Sequence, residues 1–299
     1  MKIPKIIHQT WKNYDVPAQF ADYIKSWLIL NPDWEYWFWT DRDADVFIKL
    51  SYPTFYQMYR EYGHHMQRAD ALRYFVLYEF GGWYADLDIQ VLRPLEEISR
   101  KHYCMIPLEP WGQAIVTWNK VRLSSNAIMA ASPRHPFFKR VIDTLPHLAK
   151  RRGPSPMLWS TGPFMIEDVI TKYEFEGKQR KSGHFHNETV WLANPEVFLP
   201  VADKTAVIKW KQICLQNERR PTERLRQDYC GYLKSTNYAN TLQKDAYTTH
   251  AWSHTYFGNS NNKTNIFKVV PGAKIVSNII KTMSSGHDDR AFQKGRSYN

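Results

Sequence analysis

The sequence predicts an α/β domain, a sheet flanked by helices, on three observations. Short apolar or aromatic runs at residues 3–8, 34–39 and 83–89 read as buried strands. Longer stretches with helical periodicity separate them, at residues 18–30 and 66–80. The chain has 299 residues and is 43% hydrophobic, enough for one sizeable core.

Each element follows from local chemistry. Pro4 precedes Lys5-Ile6-Ile7-His8, an apolar run that ends in a loop at Gln9-Thr10-Trp11. Residues 18–30 form a helix that stops at Asn31-Pro32. Trp34 to Trp39 is aromatic on both faces, as in a strand buried on both sides. Pro53 divides two helices, 42–50 and 53–62. Met66 to Phe80 lacks Gly and Pro and stops at Gly81-Gly82, and Trp83 to Ile89 then reads as a strand. Beyond residue 100 the pattern predicts a strand at 121–123 followed by a turn, an amphipathic helix at 136–150 and a helix from Phe164. The polar stretches 176–187 and 216–228 read as insertions. From Gly258 the composition turns to Asn, Lys, Ser and Gly, with seven Lys or Arg against two Asp, a net +5. The reading is a domain at 1–257 and a basic tail at 258–299 with a short amphipathic helix near Ala273–Met283.

Composition narrows the functions. The formal charge of +11 implies anionic partners, such as nucleotide phosphates, an acidic glycan or an anionic membrane surface. No nucleic-acid-binding signature is present, so nucleic acid is not an expected partner. Cys104, Cys214 and Cys230 are too scattered for a disulfide framework or a zinc site, which suggests a reducing compartment. No run reaches the roughly 18 apolar residues of a membrane span. The expectation is a cytoplasmic protein, at most peripheral on a membrane.

Asp86-Leu87-Asp88 carries the chemistry. Alternate residues of a strand share a side, so the two carboxylates converge and suit a hard cation such as Mg²⁺ or Mn²⁺. Asp70 and Arg73 stand three apart on the preceding helix and share a face. Gly81-Gly82 lets the backbone come close before the acidic strand, and Asn126 is placed to bond a sugar or to form a turn.

The blocks IPKIIHQTW (3–11), NPDWEYWFWTD (31–41) and RADALRYFVLYEFGGWYADLDIQVLRPL (68–95) resemble glycosyltransferase family 32, the DxD sugar-binding group. SSNAIMAASPRHPFF (124–138), STGP (160–163), NPEVFLP (194–200) and HAWSHTYF (250–257) continue the resemblance in order. It implies a GT-A fold, a Rossmann-like mixed sheet in a single catalytic domain with helical insertions. It also implies a divalent metal, a UDP- or GDP-linked hexose donor, a glycan or glycolipid acceptor and retention of configuration. Carried over, Asp86 touches donor sugar and metal, and Asp88 touches metal and diphosphate. Asp70 and Arg73 grip the sugar, Trp11 borders the base, and Gly82, Tyr84 and Asn126 complete the donor site. His250 stands where the family has a C-terminal His-His-Trp element, as a third metal ligand or a diphosphate contact. Ala251 replaces the second histidine, which leaves His254 as the alternative. Two other classes fit an acidic pair in a basic protein, a metal-dependent phosphoesterase and a sugar-binding module without turnover.

Overall fold

The computed structural model describes residues 2–151, 155–179, 186–217, 224–253 and 262–276. The strands are β1 Ile6–Thr10, β2 Asp15–Pro17, β3 Glu35–Trp39, β4 Gly82–Ala85, β5 Ile89–Val91, β6 Cys104–Pro107, β7 Ile128–Ala131, β8 Trp191–Ala193, β9 Thr248–His250, β10 Lys263–Asn265 and β11 Lys274–Ile275. The helices are α1 Ala21–Leu30, α2 Asp41–Ser51, α3 Pro53–Arg60, α4 His65–Phe80, α5 Glu96–Lys101, α6 Pro136–Leu148, α7 Pro156–Ser160, α8 Pro163–Gln179, α9 Pro195–Phe198, α10 Lys204–Asn217, α11 Arg224–Ser235 and α12 Ile266–Val269. A π-helical segment spans Gln113–Thr117.

Seven strands form one mixed sheet in the order β11-β3-β1-β4-β7-β6-β8. The half from β11 to β4 is parallel, and β7 runs antiparallel to both β4 and β6. Side chains alternate across the sheet as the aromatic runs predict. Trp37, Trp39 and Tyr84 enter the core under α2, α4, α6 and α8, while Tyr36, Phe38, Trp83 and Ala85 enter the core on the α1 side. Thr40 and Asp43 close a reciprocal cap on α2, and His64 and Gln67 close one on α4, so both helices start where the sequence changes character.

His8 lies in the middle of this sheet, fully buried. Its Nδ1 accepts from the Trp39 indole at 3.1 Å, so Nε2 carries the proton and donates to the Gly81 carbonyl at 2.9 Å. Burial pushes its pKa down to about 4, against the bond to Gly81, and the ring stays neutral. Gly82, at φ +91°, lies against β1, where a Cβ would meet the Ile6 carbonyl at 2.5 Å. The glycine thus admits a neighbouring strand rather than a ligand, which corrects its expected place in the donor site.

Other expectations change as well. Residues 121–123 form no strand; Ser124 makes a single bridge to Leu108, and the strand is β7. Residues 263–276 do not belong to a tail. β10 pairs with β2, β11 pairs with β3, and Ile266, Val270 and Val276 are core residues. Their apolar spacing is too short to stand out against the polar composition around them. The rest of the expected tail helix and His254 lie outside the described residues. Cys214 and Cys230 form a disulfide between α10 and α11, with Cα atoms 5.4 Å apart. Their separation of 16 residues spans a helical hairpin, so pairing depends on tertiary structure rather than spacing. The bond is at odds with the expected reducing, cytoplasmic setting. Among the described residues, no helix is long and apolar enough to cross a membrane.

Candidate active site

A cleft of about 880 Å³ opens where the parallel strands end. Thr10 and Trp11 after β1, Asp41 after β3, and Asp86, Leu87 and Asp88 after β4 line it, together with Arg73, Tyr84, Asn126, His250 and Ser253.

Asp86 and Asp88 do not converge by strand alternation. β4 ends at Ala85, and Asp86 to Ile89 make a tight turn in which the Ile89 amide donates to the Asp86 carbonyl at 3.1 Å. The turn is held from three sides. The Asp86 amide donates to Ala127 O at 2.8 Å, Gln9 Nε2 donates to Asp86 O at 3.1 Å, and the Ala251 amide donates to Asp88 O at 3.0 Å. Backbone anchoring of this kind fixes where the two carboxylates point.

Arg73 is the hub beneath the turn. It is 2% exposed and reaches Asp70 at 2.9 Å and Asp86 at 3.3 Å, and it donates to the Asn126 carbonyl. Its guanidinium lies 4.6 Å from the centre of the Tyr84 ring, whose hydroxyl donates to Asp86 at 3.1 Å. Asp70 also accepts from Asn126 Nδ2 and from Thr161 Oγ1, both at 3.0 Å. Burial pushes Asp70 up to about 6, against the pull of Arg73. Burial likewise raises Asp86, again opposed by Arg73. Asp70, Arg73, Asp86, Asn126 and Tyr84 therefore form one network. Only Asp86 among the acids is substantially open, with its side chain 33% exposed.

Asp88 has a separate set of partners. His250 Nε2 lies 3.1 Å from Oδ1, and the Ser253 amide donates to Oδ2 at 2.8 Å. Burial acts to raise Asp88, but the bond and charge of His250 together with the Ser253 amide outweigh it, and the carboxyl lies below its ordinary range. His250 is raised by the same pair, although burial opposes it. The imidazole therefore supports Asp88 through Nε2, while its Nδ1 is buried without a hydrogen-bond partner.

Among the described residues, no three His, Cys, Asp or Glu side chains are placed to share one ion. The fit is to a Mg²⁺- or Mn²⁺-type site that uses two carboxylates and leaves the remaining positions to substrate phosphates and water. Trp11 also lines the cleft, edge-on to Phe20 at 6.0 Å, and its indole nitrogen lacks a partner. Sequence reasoning missed Glu109, Gln113 and Trp118, which also line the cleft.

Residues 17–105 match the family model described as the glycosyltransferase sugar-binding region containing a DXD motif. Mannosyl phosphorylinositol ceramide synthase CSH1 of Saccharomyces cerevisiae is 39% identical over 174 residues, 58% of this chain and 43% of that protein. Inositol phosphoceramide mannosyltransferase 3 of Schizosaccharomyces pombe is 33% identical over 198 residues, 66% of this chain and 51% of that protein. The chain thus spans about half the length of these curated relatives. Among solved structures, the PaToxG glycosyltransferase aligns with a TM-score of 0.42 at 16% identity, over 60% of this chain and 72% of that one. Asp86 and Asp88 lie inside the matched region, so residues 17–105 carry the DXD-containing sugar-binding region of glycosyltransferases.

Proposed function

We propose that the chain is a metal-dependent, retaining hexosyltransferase that moves a sugar from a UDP- or GDP-linked donor to a glycan or glycolipid. Mannose is the first sugar to test, because the relatives are named as mannosyltransferases. The observation that carries the proposal is the meeting of the Asp86–Asp88 turn with Arg73 in one cleft at the strand ends, with Asp70 paired to Arg73 behind the cleft wall.

Asp86 and Asp88 would hold Mn²⁺ or Mg²⁺, with His250 supporting Asp88. The ion, when bound, neutralises charge on the departing diphosphate. The chain's own residues do the rest. Arg73 keeps Asp86 aimed into the cleft, Asn126, held from behind by Asp70, offers a polar group to sugar hydroxyls, and Trp11 offers a face to the base. Asp86 is the open carboxylate placed to stabilise positive charge at the anomeric carbon. The chain's net charge of +11 suits an anionic membrane surface presenting a lipid-linked acceptor. The Cys214–Cys230 bond favours an oxidising compartment for this reaction.

Screening UDP- and GDP-hexoses with a soluble acceptor, and reading the product anomer by NMR, tests the proposal. An α-linked product from an α-linked donor supports it. Inversion refutes retention, and cleavage of simple phosphodiesters instead would favour a phosphoesterase.

A further inference from the structure

The donor-side roles leave part of the cleft wall unexplained: Glu109, Gln113, Trp118, Leu123 and Phe164 line it, with Glu109 in electrostatic reach of Asp86 and His250. Glu109 follows β6, and its amide donates to Leu123 O at 2.8 Å, which fixes the residue to this wall. It is only 8% exposed, yet its side chain lines the cleft and takes a hydrogen bond from Ser125. A carboxylate with one such donor keeps lone pairs for further donors.

Trp118 lines the same cleft. The ring is 39% exposed, unusual for a tryptophan in so aromatic a core, and it is not loose. It sits edge-on to Phe164 at 4.8 Å, and Phe164 stacks on Trp159 at 4.3 Å. The π-helical segment carries Gln113 into the same wall, and such segments recur at functional sites. The segment is braced from behind, where Trp210 packs on Gly112 so closely that a Cβ there would meet the ring at 2.4 Å. Trp210 Nε1 also donates to Thr117 Oγ1 at 3.0 Å. A braced aromatic ring and a carboxylate lining one cleft match a ring that is apolar on its face and hydroxylated at its rim.

We infer that this wall is the acceptor subsite, in which a cyclic polyol lies against Trp118 and donates a hydroxyl to Glu109. The inference rests on the glycosyl-transfer reading. In the transfer, an acceptor hydroxyl oxygen bonds to the anomeric carbon, the bond from that carbon to the diphosphate oxygen breaks, and the hydroxyl proton leaves with the diphosphate. The polyol comes either from a sugar or from a phosphorylated cyclitol headgroup, which share this ring chemistry.

The test compares the wild type with Trp118→Ala and Glu109→Gln, using α-methyl mannoside and inositol phosphate as acceptors and release of nucleoside diphosphate without acceptor as the second rate. The expected result is at least a tenfold rise in acceptor KM for one of the two probes in both variants. The ratio of transfer to hydrolysis should fall by a similar factor. The probe that responds identifies the source of the ring. Wild-type acceptor KM and an unchanged ratio in both variants would overturn the inference. A third readout, saturation-transfer NMR of each probe on the full chain, does not depend on turnover. If the wild type releases no diphosphate yet binds a probe in a Trp118-dependent way, the transfer reading fails and the subsite stands. If neither probe binds in that way, the subsite falls. Trp118 is surface-exposed, so its variant keeps the fold, and melting curves confirm the same for Glu109→Gln.

Discussion

Arg73→Lys is the substitution the structure constrains most tightly. The guanidinium bridges two carboxylates, at 2.9 Å to Asp70 and 3.3 Å to Asp86, and also donates to Asn126 O. One ammonium on a flexible stem reaches one of these groups at a time. Stranding a buried charge by removing its partner costs about 3–5 kcal/mol. Lysine keeps a positive charge in the site, so the lower end, about 3 kcal/mol, is expected. At roughly 2 °C per kcal/mol for a chain of this size, the melting temperature should fall by about 6 °C. Asp86 also loses its anchor, and a misplacement of about 1 Å at a reacting centre can cost on the order of 100-fold in rate. Urea unfolding gives the first quantity and donor kcat/KM the second. A melting temperature within about 1 °C of wild type, together with wild-type kinetics, would show that Arg73 does not bridge the two acids.

Three further outcomes follow. Asp70 ionises near 6 and must be charged to hold Arg73, so donor kcat/KM should fall as pH drops below about 6 and recover above it; a flat profile from pH 5 to 7 would refute this. His8 and His135 are both pushed down to about 4 by burial, so the stability tied to their neutral forms is complete above the unfolded value near 6.5 and is lost as pH falls toward 4. Each should cost on the order of 2 kcal/mol by pH 5, and His8→Gln should flatten the slope of melting temperature against pH in that window. A truncation ending at Phe257 removes β10, α12 and β11 with their buried Ile266, Val270 and Val276, and should lose several kcal/mol, roughly 1.5–3 for each such side chain; a melting curve matching the full chain would return residues 263–276 to a dispensable tail.

Much of this was legible in the sequence. Aromatic runs such as Trp34 to Trp39 forecast a strand buried on both faces, because only such a strand tolerates large rings at successive positions. The helical spacing of Asp70 and Arg73 put them on one face, where they pair with each other. Other features depend on chain segments far apart and leave little local trace. Asp88 takes its partners His250 and Ser253 from more than 160 positions away, and the turn that aims it is fixed by Ala127 and Gln9. Gly82 has the same composition whether a ligand or strand β1 approaches it, and only the sheet decides. Glu109 looked like an ordinary residue beside prolines until β6 and the π-helical segment placed it in the cleft.

The central claim is that the Asp86–Asp88 turn supports metal-dependent use of a sugar nucleotide. Release of nucleoside diphosphate from the preferred UDP- or GDP-hexose tests it most directly, measured for wild type with Mn²⁺, with EDTA, and for Asp88→Asn with Mn²⁺. The expected result is release by the wild type with Mn²⁺, loss of release with EDTA that Mn²⁺ restores, and a rate lower by orders of magnitude in Asp88→Asn at a similar melting temperature. Full release by Asp88→Asn, or by wild type freed of metal, would contradict it.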